Sequence, residues 1–256
     1  MKISPSVNST RMLNKVPEVT IFFWIIKIMA TTVGETGADF LIFNFKLGLT
    51  ITSCIMGALL VAALLIQIIS KKYVPWIYWL AVVFISVVGT LITDNLVDNF
   101  GVSLETTTIL FSLALLATFI AWYASQRTLS IHTIYTLKRE LFYWVAILFT
   151  FALGTAAGDL AAEGLHLGYA VSGLIFAALI GVVMISYYLF KANAVAAFWI
   201  AYILTRPLGA SFGDYLSQPI ANGGLGFGTI STSITFLVII LSLVVYLSIT
   251  RRDVSL

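Results

Sequence analysis

One pattern, present four times, sets the plan of this chain: an aromatic residue, Trp, nine residues, Gly, four residues, Asp. The copies are Phe23-Trp24 with Gly34 and Asp39, Tyr78-Trp79 with Gly89 and Asp94, Tyr143-Trp144 with Gly154 and Asp159, and Phe198-Trp199 with Gly209 and Asp214. With six Trp in the whole sequence, four matches at fixed offsets mark an internal repeat. The motif tryptophans are 55, 65 and 55 residues apart, the longer step holding a basic insertion between Arg127 and Glu140. A shorter echo follows each copy: Leu47-Gly48, Phe100-Gly101, Leu167-Gly168 and Leu225-Gly226.

Hydropathy says what the repeat is made of. The 256 residues are 60% hydrophobic and only 10% charged, whereas soluble domains carry about a quarter charged residues. A bilayer span needs about 20 apolar residues, and eight windows qualify: 19–43, 47–70, 75–97, 105–126, 141–163, 168–190, 194–216 and 230–250. The expected fold is an all-α integral membrane protein, a single transmembrane domain over residues 1–256. Its units are four helical hairpins, approximately 19–70, 75–126, 141–190 and 194–250. The net charge of +3 matters less than its placement. Lys2, Arg11 and Lys15 precede the first span, Lys71 and Lys72 follow the second, and Arg127, Lys138 and Arg139 follow the fourth. Lys191 follows the sixth, and Arg251 and Arg252 follow the eighth. All lie on one side, which the positive-inside rule makes cytoplasmic, with both termini there and the first span retained. Cys54 stands alone, so no intramolecular disulfide is possible.

Two spans per unit make all four odd helices parallel, so their motifs share one depth. At 1.5 Å per residue the Asp lies about 22 Å beyond the Trp. Tryptophans Trp24, Trp79, Trp144 and Trp199 are expected to anchor at the inner interface. Gly34, Gly89, Gly154 and Gly209 would sit near the midplane as close-packing positions, and the aspartates in the outer half. Symmetry then predicts a ring, with odd helices inside and even helices outside.

The acids are paired. Glu35 lies one turn before Asp39, Asp98 one turn after Asp94, Glu163 one turn after Asp159, and Gln218 holds the same offset from Asp214. Residues four apart share a helix face, so each pair is expected to aim one way. Ionisable groups within a bilayer are costly and mark functional sites; seven converging carboxylates need protons or a cation among them. Nearby hydroxyls are Thr31, Thr32, Thr36, Thr93, Thr155 and Ser211, with no thiol in the set. Oxygen ligands suit hard divalent ions, Mn²⁺ first, with Mg²⁺ and Ca²⁺ as alternatives. Asp39, Asp94, Asp159 and Asp214 are the expected ligands, with Glu35, Asp98 and Glu163 as second acids. Arg206 is expected to be a counter-ion near Asp214, Pro207 to kink or break its span, and Lys27 to snorkel to the inner interface.

Three function classes fit these residues. A proton-coupled carrier of a divalent cation accounts for the acids, their common depth and the asymmetry that Arg206 and Pro207 bring to one repeat. The segment Asp94-Asn-Leu-Val-Asp98 looks like the Mg²⁺-diphosphate motif of intramembrane prenyltransferases, which suggests a membrane enzyme, but no Lys/Arg set accompanies it to hold a diphosphate. A cation channel or sensor is the third class. No glycine-rich phosphate loop or nucleic-acid signature is present, so neither an organic cofactor nor a nucleic-acid partner is expected; the partners are the lipid bilayer, a metal ion and protons. On its Trp, Gly and Asp repeats the chain resembles a family of uncharacterised bacterial multi-pass inner-membrane proteins, labelled as membrane-anchored, which implies a bacterial inner-membrane location and no assigned activity. Ala157-Gly158-Asp159 and Phe212-Gly213-Asp214 are loosely similar to the Gly-Asp cores of Ca²⁺ or Mn²⁺/proton exchangers, although Leu160 and Tyr215 stand where those cores have a basic residue.

Overall fold

The computed structural model describes residues 14–44 and 46–254, so Lys2 and Arg11 lie outside the described residues. The described residues hold eight α-helices: α1 Ile21–Asp39, α2 Gly48–Ile69, α3 Pro75–Asp94, α4 Leu104–Gln126, α5 Leu137–Asp159, α6 Tyr169–Phe190, α7 Ala194–Ser217 and α8 Thr229–Thr250. All eight are long and apolar enough to cross a bilayer, and the described residues contain no strand. The chain is a multi-pass membrane protein.

Helix limits follow local chemistry. Side chains of Thr20, Ser103, Thr136 and Asn193 accept the first free amides of α1, α4, α5 and α7. The Thr136 cap starts α5 four residues before the apolar window at 141, so the polar turn around Lys138 and Glu140 is helical. Arg127, Lys191 and Arg251 end α4, α6 and α8 in the left-handed conformation, which sets a cation at the negative end of each helix dipole. The sequence echo has a backbone cause: Gly48, Gly101, Gly168 and Gly226 all have φ between 67° and 75°, a turn that a side chain would strain.

The odd helices form a closed inner ring in the order α1, α3, α5, α7 and back to α1. Each motif glycine sits where its helix meets the next. A Cβ added at Gly34 would overlap Ser86, at Gly89 it would overlap Phe151, at Gly154 Arg206, and at Gly209 Thr31. Every obstructing residue lies three before the motif glycine of its own helix, so one contact is repeated around the ring. The motif aromatics make a second layer of the same kind. Phe23 packs on Trp79 with ring centroids 5.6 Å apart, Tyr78 on Trp144 at 5.6 Å, Tyr143 on Trp199 at 6.3 Å, and Phe198 on Trp24 at 5.8 Å. Trp79, Trp144 and Trp199 are therefore buried between helices instead of facing lipid headgroups, and only Trp24 is half-exposed. The anchoring expectation is corrected on this point: these three tryptophans pack against tilted aromatic rings of the neighbouring repeat.

Even helices lie outside the ring, each packed mainly against the odd helix of the next hairpin and not that of its own. Helix α2 packs on α3, α4 on α5, α6 on α7, and α8 returns to α1. The end of the bundle that carries both termini is tied shut. Lys15 is buried there, its Nζ 2.6 Å from Glu140 Oε2 and 2.8 Å from the Ile68 carbonyl. Tyr73 donates to Asp253 Oδ2 at 2.6 Å, and the Glu18 amide donates to the Asp253 carbonyl at 2.9 Å.

Candidate metal centre

Position three before the motif glycine holds Thr31, Ser86, Phe151 and Arg206 in the four repeats. In α7 this is a fully buried arginine in the middle of the ring. Its Nη2 donates to Glu35 Oε2 at 2.9 Å, to Thr155 Oγ1 at 2.6 Å and to Thr90 Oγ1, while Nη1 donates to the Thr31 carbonyl at 3.2 Å. Glu35, Thr90 and Thr155 each directly follow a motif glycine; the fourth such residue is Ala210. One guanidinium is thus bound by the same position of the other three repeats. Its ion pair is with Glu35, which corrects the expectation of Asp214, because the guanidinium stops at the level one turn short of the motif aspartates. Helix α7 also runs unbroken through Pro207 from Ala194 to Ser217. Pro207 packs toward Gly154 and Gly158 of α5, so the site where its ring interrupts the hydrogen-bond ladder is held from outside.

Beyond Arg206, carboxylate oxygens of Glu35, Asp159 and Asp214 lie within 4.8 Å of one another, with Glu35 and Asp214 buried and Asp159 half-buried. These acids come from α1, α5 and α7. Asp94 and Asp39 stand outside the trio. Asp94 lies in the electrostatic field of Glu35, Asp39, Asp98 and Arg206. Asp39 accepts a long hydrogen bond, 3.4 Å, from Gln218, which the sequence pairs with Asp214 on its own helix. Gln218 caps the end of α7 in an extended conformation, and this swings its amide to the neighbouring repeat.

Three of the odd helices change character at the motif Asp. Phe40–Asn44, Asn95–Asn99 and Leu160–Gly164 are π-helical turns, whereas α7 has none. The i→i+5 bonding of a π turn breaks the rule that residues four apart share a face. Accordingly Asp98 and Glu163 are exposed while Asp94 and Asp159 are half-buried. The two outer acids still interact electrostatically with Asp39, so they ring the mouth of the cluster, where Glu163 accepts from the Tyr169 hydroxyl at 3.0 Å.

Most of the expected hydroxyls serve the scaffold. Thr31, Thr32 and Thr93 donate across helix interfaces to the carbonyls of Thr205, Gly209 and Ala152, and Thr36 pairs with Ser233 at 2.7 Å. Thr155 alone of the set reaches Arg206, together with Thr90, which the sequence did not single out. Lys27 does not snorkel. It is fully buried, with Nζ donating to Thr205 Oγ1 at 2.6 Å and lying 3.9 Å from the centre of the Tyr202 ring. Helix α1 carries the inner face of the ring at that point, so the stem of Lys27 has no path to the lipid interface.

Comparison with known proteins adds one decisive match. Residues 22–73, 77–128, 142–193 and 197–253 each match the family described as Repeat of Unknown Function (DUF347). The chain belongs to the DUF347 repeat family. Each DUF347 match opens within an odd helix and closes just past the following even helix. Arg206, Asp214 and Pro207 therefore come from the fourth DUF347 repeat, Glu35 and Lys27 from the first, and Asp159 from the third. No curated protein and no solved structure matches the chain.

Proposed function

We propose that this protein is a membrane carrier of a hard divalent cation, with Mn²⁺ the first candidate and Mg²⁺ and Ca²⁺ next, driven by exchange with protons. The observation that carries the reading is the convergence of Glu35, Asp159 and Asp214 beside Arg206. Arg206 balances Glu35, leaving two carboxylates whose combined charge matches one divalent ion, and an all-oxygen set selects hard ions. Protons compete for the same oxygens, which couples their binding to that of the metal. The exposed acids Asp98 and Glu163 at the mouth would concentrate cations there. A carrier is favoured over a pore because the axis behind the cluster is filled by Arg206, Lys27 and the aromatic layer. The basic loops support cytoplasmic termini in a bacterial inner membrane, with the mouth facing out.

The test is Mn²⁺ uptake into proteoliposomes with a trapped indicator, beside Mn²⁺ binding to the detergent-solubilised protein. Asp159→Asn and Asp214→Asn should abolish flux and weaken binding beyond the about 10–100-fold typical of residues around a metal site, with Asp39→Asn and Asp94→Asn inside that range. Wild-type uptake no faster than in empty vesicles, for Mn²⁺, Mg²⁺ and Ca²⁺ alike, rejects the proposal.

A further inference from the structure

Lys27 has no role in the cluster just described, and its surroundings are unusual. Its ammonium is wholly enclosed, and among the described residues it has no ion-pair partner. The groups facing it are the Thr205 hydroxyl and Tyr202 ring of α7, the Phe151 ring of α5, 5.2 Å away, and Arg206, whose guanidinium lies 5.8 Å from that same Phe151 ring. Two cations thus flank one ring, and only the lysine can shed its charge, since a guanidinium stays protonated in proteins. An unpaired charge in a dry site is costly, which makes an enclosed lysine ready to give up its proton and marks it as a functional position.

Buried tyrosine hydroxyls lie between Lys27 and the terminal end. Tyr202 sits beneath the ammonium with its own hydroxyl buried and unpartnered. Tyr143 and Tyr78 share a hydrogen bond of 2.5 Å. The Tyr78 ring lies 5.7 Å from that of Tyr73, whose hydroxyl bonds Asp253. Burial raises the Asp253 carboxyl above its usual range, against the Tyr73 hydrogen bond, so a proton is held at that end more readily than by a solvated acid.

We infer that Lys27 is a proton-binding site of the transport cycle, and that it exchanges its proton with the terminal side of the membrane through the Tyr78–Tyr143 hydroxyl pair. This rests on the carrier reading above and adds to it a second ion site, about 12 Å along α1 from Glu35 at 1.5 Å per residue. When a divalent ion enters the cluster, the added positive charge expels the proton. The Nζ–H bond breaks, an O–H bond forms on the hydroxyl chain, a proton leaves at the far end, and Lys27 is left as a neutral amine. Metal release reverses the step. Nothing is oxidised or reduced.

The test uses the full chain in vesicles of phosphatidylethanolamine and phosphatidylglycerol, with trapped pyranine reporting protons and a trapped indicator reporting Mn²⁺, with and without Mn²⁺ outside. Lys27→Met keeps the volume and removes a buried charge, a change proteins tolerate; Tyr78→Phe removes one oxygen and is the control should the first variant fold poorly. Both variants should lose proton movement by about tenfold or more while Mn²⁺ binding in detergent stays within about threefold, differences of about 1.4 and 0.6 kcal/mol respectively. Proton movement equal to wild type in both arms, including none in either protein, overturns the inference. Wild-type proton movement without Mn²⁺ uptake, lost in both variants, would reject the carrier reading and keep the proton site.

Discussion

The aromatic layer and the charged layer are built on the same four helices, and they treat the repeat in opposite ways. In the aromatic layer every unit contributes the same pair of rings and touches the next unit in the same way. In the charged layer each position is used once: Lys27 faces Tyr202, and Arg206 gathers Glu35, Thr90 and Thr155 while its equivalents are Thr31, Ser86 and Phe151. Packing is thus shared among the repeats and chemistry is divided between them. A cation copied fourfold at the level of Arg206 would repel itself, and the one ionisable position that is copied, the motif Asp, lies further along the helices; a ring or a glycine copied fourfold closes a circle.

This contrast can be broken from the charged side with the largest effect. Glu35→Ala leaves Arg206 buried without its carboxylate and should destabilise the protein by about 3–5 kcal/mol in thermal or denaturant unfolding in detergent. The double variant Glu35→Ala with Arg206→Met should recover most of that loss, and additive effects would show that the two groups are not coupled. On the shared side, Gly209→Ala meets Thr31 and the Ile28 carbonyl and should cost about 1–3 kcal/mol. Gly181→Ala on outer helix α6 has no neighbour within 4 Å and should instead stabilise by about 0.5–1 kcal/mol, the helical preference of Ala over Gly. Phe23→Leu should cost about 0.5–1.5 kcal/mol beyond lost area for the ring pair with Trp79. Equal losses at Gly209 and Gly181 would show that the inner ring is not the tight layer.

Much of this was legible in one sequence, because apolar run length and motif spacing are local quantities. Eight windows located eight helices, and equal depth of the motifs on parallel helices implied the ring of odd helices. What escaped depended on neighbours. Lys27 was assigned by its distance from Trp24, although the direction of its stem is set by which face of α1 the ring covers. Asp98 and Glu163 were paired with Asp94 and Asp159 on α-helical spacing, which the π turns undo. Thr90 is not among the hydroxyls singled out near the acids, yet aligning the repeats on glycine puts it at the same position as Glu35 and Thr155. The assignment of Arg206 to Asp214 followed nearness along one helix, whereas the guanidinium spans the axis to another.

The return of α8 to α1 has a consequence for how the protein is made. Translation delivers α1 well before its outer partner α8, so Lys27 and Glu35 enter the membrane long before Arg206 and α8 exist to cover them. Until the fourth repeat emerges, the polar face of α1 has to be sheltered by something other than its final neighbours. Truncating the chain before residue 194 should therefore leave an α1 that the insertion machinery retains or quality-control proteases remove, and not three-quarters of a stable ring.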